Sequence, residues 1–186
     1  MKPVKYALLM IALLLSPIKL MSMTEDEARD YIKEFISKQQ DFGKHDETLK
    51  LTFANINIDD NDVKVIFNKE DDVFNPLFPE LTEGKFKTVA QENRYVNHQF
   101  GLYILMRESI ENPKFFDALK DSNLSWDVFV MNPRQNVPYY TTTLNFRDVE
   151  NAILINNSDA NTDFKTFLSI SLVSCYHTVG CCYLGV

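Results

Sequence analysis

The spacing of apolar positions near the start of the chain predicts an amphipathic helix. Over residues 25–40 apolar side chains recur every three or four residues, which places them on one helical face. Thr24 and Glu27 stand where a capping box would begin such a helix, each side chain bonding the other residue's backbone N–H.

Two later regions alternate residue by residue and predict pairs of β-strands. The first surrounds the polar turn Asp59–Asp62, and its alternation changes phase at Ala54, which indicates a β-bulge. The second carries Trp126 at its start and follows with a segment rich in β-branched and aromatic residues. The predicted strand segments are 48–58, 63–69, 126–131 and 139–146.

The longest apolar pattern, over 86–112, predicts a helix buried on several sides, since its second half is apolar around much of its circumference. Pro113 begins a second, shorter helix to about residue 121, and 148–154 suits another. The order of elements predicts an α+β fold, with an antiparallel sheet of four to six strands packed against one long central helix and one or two shorter helices.

The C-terminal segment carries no Asp, Glu, Lys or Arg after Lys165. We interpret residues 167–186 as buried strands with a turn near Gly180. A helix that uses Phe164, Phe167 and Cys175 is one alternative. A hydrophobic signal for attachment of a lipid anchor is another, and only in that case do we expect membrane association.

The N-terminus has the pattern of a signal peptide. Lys2 and Lys5 precede an almost wholly apolar run, which Ser16 and Pro17 end before it is long enough to cross a membrane comfortably. The pattern predicts a signal peptide over 1–22 and a single domain over 23–186, exported to the periplasm, the cell surface or the extracellular space. An uncleaved N-terminal anchor is the alternative.

Charge limits the class of partner. The chain has 19 basic and 26 acidic residues, a net charge of −7. Loss of residues 1–22 removes Lys2, Lys5 and Lys19, which leaves 16 basic residues and a net charge of −10. Nucleic acids and anionic membranes need clustered Lys and Arg, so we expect a protein or a small apolar ligand instead.

Three cysteines, Cys175, Cys181 and Cys182, lie close to the C-terminus. An odd number in an exported chain leaves at least one thiol unpaired or joined to another molecule. Cys175 has the spacing to bridge to either of the others, and burial as small apolar side chains is the alternative.

Three residues are candidates for catalysis: His98, Cys175 and His177. His98 lies on the long predicted helix with Arg94 and Glu108, and a histidine near its ordinary pKa can act as an acid or a base. Cys175 and His177 would share one side of a strand, which suits a cysteine nucleophile and its base. These residues support one alternative function, a small exported hydrolase. A solvated polar stripe is the simpler explanation of His98.

Metal and cofactor sites are not expected. The histidines, His45 included, lack metal-binding spacing, and there is no Cys-x-x-Cys. The acidic turn Asp59–Asp62 lacks the glycine and the glutamate of an EF-hand loop.

Aromatic and aliphatic side chains on the presumed surface suggest an interaction site. They are Phe74, Leu77 and Phe78 in the predicted loop 70–82, together with Tyr139 and Tyr140. A loop folded over one end of the core would explain the first three equally. The sequence therefore favours an exported, small acidic binding or interaction domain without an evident catalytic site.

Overall fold

The structure is a computed structural model that describes residues 22–38, 42, 51–59, 61–69, 78–132, 137–159 and 161–177. For residues 51, 52, 54, 69, 132, 137–141 and 174–177 it describes the backbone alone. Nearly all of the predicted signal peptide lies outside these ranges, as do Cys181 and Cys182, so export and disulfide pairing stay predictions.

The described part of the chain forms an α+β fold with a four-stranded mixed sheet and six helices. In chain order the elements are α1 (Glu25–Lys38), β1 (Leu51–Ile58), β2 (Asp62–Lys69), α2 (Pro79–Thr82), α3 (Val89–Glu111), α4 (Pro113–Asp121), β3 (Ser125–Asn132), β4 (Val137–Leu144), α5 (Phe146–Ile155) and α6 (Phe164–His177).

The prediction of an antiparallel sheet was wrong for its central pair. The strands lie in the order β1-β2-β3-β4, and β2 runs parallel to β3, with Asp62 beside Ser125. The two hairpins are antiparallel as expected. Parallel neighbours need a crossover connection, and α2, α3 and α4 supply it by returning the chain to the end of the sheet where β2 began.

Local predictions near the N-terminus are confirmed. The first hairpin forms, and its register shifts between Phe53 and Asn55, which places the bulge at Ala54. The capping box also forms: the Thr24 N–H donates to Glu27 Oε2 at 2.9 Å, and the Glu27 N–H donates to Thr24 Oγ1 at 3.3 Å. Both features depend on the spacing of residues that are close together in the sequence, so they can be predicted from it.

The long helix α3 packs on β3 and β4 and contacts α4, α5 and α6. Gly101 lets it approach the sheet, because a Cβ atom there would lie 2.8 Å from Leu144 Cδ1. Five shorter helices accompany α3 in the described ranges, more than the one or two predicted. The two helices that the pattern did not predict are α2, within the predicted loop 70–82, and α6, largely within the predicted strand segment.

The prediction of strands over 167–186 was wrong for its first half, which continues helix α6 to His177. Phe164, Phe167, Leu168 and Leu172 are buried at helical spacing. The Tyr103 hydroxyl and the Arg107 guanidinium on α3 donate to the Thr162 carbonyl and so fix the loop before α6. Residues 178–186 lie outside the described ranges.

Candidate functional site

His98 lies on α3 where that helix meets β4. Its Nδ1 is 2.7 Å from Oγ1 of Thr142, whose side chain is on the core side of β4. Burial lowers the pKa of His98 below its ordinary value of 6.5, and the negative charge of Asp148 opposes this shift in part. The imidazole is therefore neutral at neutral pH.

Asp148 belongs to a local structure that fixes its position. Asn145 caps α5, and the two residues form a second capping box: the Asn145 N–H donates to Asp148 Oδ2 at 2.9 Å and the Asp148 N–H donates to Asn145 Oδ1 at 3.3 Å. The start of α5 thus holds a carboxylate that acts electrostatically on His98.

Of the other two residues of the predicted His98 pocket, the structure places Arg94 near His98 and Glu108 far from it. Arg94 is exposed one turn before His98. Glu108 is buried ten residues further along α3, about 15 Å away along the helix axis. The polar groups that the structure describes at His98 are the Thr142 hydroxyl and, through its charge, Asp148.

We expect acidification to destabilise the fold through His98. The unfolded chain takes up a proton near pH 6.5 and the folded chain only at lower pH, so stability falls as pH drops from about 6.5 towards the lowered pKa. His98→Asn keeps a polar atom near Thr142 but does not titrate. Urea unfolding from neutral pH to about pH 5 should therefore show a smaller loss of stability in the variant than in the wild type. Parallel losses would contradict this prediction.

The predicted interaction residues fall into different settings. Phe78 is partly buried, with its ring 6.1 Å from that of Phe164, and it packs against the core. It has a left-handed backbone, with φ 57°, at the start of α2. Phe74 and Leu77 lie outside the described residues.

Tyr139 and Tyr140 belong to β4, and the structure describes only the backbone of these two residues. Cys175 and His177 belong to α6, likewise with the backbone alone. Their proposed pairing assumed a strand, in which residues two apart share one side. A helix advances by about 100° per residue, so this geometric basis for the pair is lost.

Sequence reasoning missed the outer face of the sheet, the side opposite the helices. Ile66 on β2 and Phe129 on β3 are direct neighbours on this face, and Met131 follows on the same side of β3. All three side chains are partly exposed, whereas the alternating residues on the inner side are buried. The signal was present in the nearly continuous apolar runs of β2 and β3, because such runs are typical of strands covered on both faces.

A polar row borders these residues. Lys64, Asp127 and Thr143 occupy neighbouring positions on β2, β3 and β4. The Thr143 hydroxyl donates to Asp127 Oδ1 at 2.6 Å, and Lys64 Nζ lies 3.4 Å from Asp59 Oδ2. The outer face thus combines an apolar centre with charged groups that have partners within the chain.

Within the described ranges, no three His, Cys, Asp or Glu side chains are grouped so that they could hold a metal ion. Among the helices described, none has both the length and the apolar character needed to cross a membrane. Comparisons with protein-family models, with curated protein sequences and with solved structures gave no match to this chain.

Proposed function

We propose that this chain is an exported interaction module that binds a protein partner through the outer face of its sheet. The observation that carries the proposal is the partial exposure of Ile66, Phe129 and Met131 on the central parallel pair. Parallel strands are usually covered on both faces. A partner that covers this face would complete that arrangement.

A protein suits this face better than a small apolar ligand does. Small-molecule sites are concave and enclose most of the ligand. Here the apolar side chains are spread over two neighbouring strands of one sheet face. The polar row Lys64, Asp127 and Thr143 beside them matches the usual anatomy of a protein interface, in which an apolar centre has a polar rim.

The alternative function, a small exported hydrolase, has less support from the geometry. Thr142 engages one ring nitrogen of His98, and Glu108 is too far along α3 to assist it. The helical backbone at Cys175 and His177 removes the argument for that pair. Loss of a measured hydrolytic activity in His98→Asn, with an unchanged melting temperature, would favour the enzyme over the interaction module.

A site-specific cross-linking experiment tests the proposal. With Phe129 replaced by the photoreactive residue p-benzoylphenylalanine, irradiation of the producing cells should yield a discrete adduct between this chain and a different protein. Mass spectrometry of the adduct would identify both chains. Partial exposure of Phe129 gives the probe access to a bound partner.

Leu154 supplies the matched control, since it is a large apolar side chain that is 68% exposed on α5, away from the sheet. The same probe at Leu154 should not give that adduct. Adducts of equal yield at both positions, or none at Phe129, would refute the proposed binding face.

A further inference from the structure

Strand β1 forms one edge of the sheet. In the part of the chain that the structure describes, its single strand neighbour is β2. An edge strand presents backbone N–H and C=O groups that can pair with another strand.

The core side of this edge is incompletely covered. Phe53, Ile56 and Ile58 on β1 are partly exposed although they pack against the core. Their neighbours on β2 that point the same way, Val63 and Val65, are at most 1% exposed. Another strand beside β1 would bury the remaining apolar surface.

The usual protection of an edge strand is sparse here. Natural edges carry charged residues, proline or bulges that prevent pairing with other chains. β1 has no charged residue and no proline between Leu51 and Ile58, and its one protecting feature is the bulge at Ala54. The segment Asn55–Ile58 after the bulge is regular. The opposite edge strand, β4, contains Pro138 and an irregularity beside it.

We propose that β1 pairs antiparallel with β1 of a second copy of this chain, about a two-fold axis perpendicular to the sheet, to form one continuous sheet. This symmetry keeps the two core sides together, and with the axis at Ile56 that residue of one copy lies opposite Ile56 of the other. In this register Asn55 of each copy lies opposite Asn57 of the other on the outer side. Both copies are acidic, and β1 lets them approach along a strand that has no charge.

A charge-exchange experiment on Asn55 and Asn57 tests this pairing, since both side chains are exposed. The wild-type full chain, as purified from the producing cells, should have twice the monomer mass by light scattering in the micromolar range. Asn55→Lys with Asn57→Lys places like charges opposite each other and should weaken the dimer by about tenfold or more. Asn55→Asp with Asn57→Asp should do the same.

An equimolar mixture of the Lys and Asp variants should recover the dimer, because opposite charges then face each other across the axis. The control is Asn151→Lys, the same charge change at an exposed position of α5, which should leave the dimer intact. Hydrogen exchange of the wild type supplies a readout without substitution, since the amides of 55–58 should exchange faster on dilution.

A monomeric wild type throughout the micromolar range would overturn the inference. A dimer that survives both charged variants, or a mixture that stays monomeric, would also overturn it. None of these results bears on the proposed partner of the outer face, which is tested at Phe129, so the two proposals can fail independently.

Discussion

Phe164→Ala is expected to lower the free energy of unfolding by about 3–5 kcal/mol. Phe164 is 0% exposed at the start of α6, and its ring packs among other aromatic rings. The ring centroids lie 5.4 Å from Tyr103, 5.6 Å from Phe100, 6.1 Å from Phe78 and 6.5 Å from Phe167. The substitution removes apolar contact area and leaves a cavity that these rings cannot fill without moving.

Chemical denaturation followed by the fluorescence of the fully buried Trp126 would measure the effect. Val173→Ala on the same helix is the control, because Val173 is 56% exposed and its truncation should change stability by no more than about 0.5 kcal/mol. If Phe164→Ala cost as little as the control, α6 would not be part of the folded core.

Gly101→Val should cost about 1–3 kcal/mol of stability through overpacking. A Cβ atom at Gly101 would lie 2.8 Å from Leu144 Cδ1 and 3.2 Å from Val128 Cγ2. Leu144 is fully buried and has little room to move, and Val128 is held by its strand. Gly101→Ala should cost less, since alanine favours the helix by about 1 kcal/mol relative to glycine.

The matched control is Ala90→Val, which introduces the same β-branched side chain at an exposed position of α3. Its cost should not exceed the helix-propensity difference of about 0.7 kcal/mol. Equal midpoints for the two valine variants in a urea titration would mean that α3 does not approach the sheet at Gly101.

Features that depend on residues close together in the sequence were predictable, whereas contacts between distant segments were not. The capping box at Thr24 and the bulge at Ala54 depend on neighbours within a few residues, and both are present. Periodicity assigns faces to a strand but not the direction of its neighbour, so the parallel pairing of β2 with β3 was missed. The stretch after Lys165 has no charged residue to mark a solvent-facing side, and its helix was predicted as strands.

The candidate sites show the same limit. His98 stands out in the sequence as a titratable residue on a helix, but its partner Thr142 is 44 residues away. The sequence of β3 shows that Phe129 and Met131 alternate with the core residues and therefore lie on the opposite side of the strand. Their adjacency, Ile66 beside Phe129, exists only after the sheet has formed.

The parallel pairing of β2 with β3 also has a kinetic consequence. Each hairpin closes a short loop, whereas Asp62 meets Ser125 only after the helical crossover between them has been brought back against the sheet. Closing a longer loop costs more chain entropy before any contact compensates for it. We therefore expect the hairpins to form early and independently, and the step that joins them to determine the folding rate of the domain.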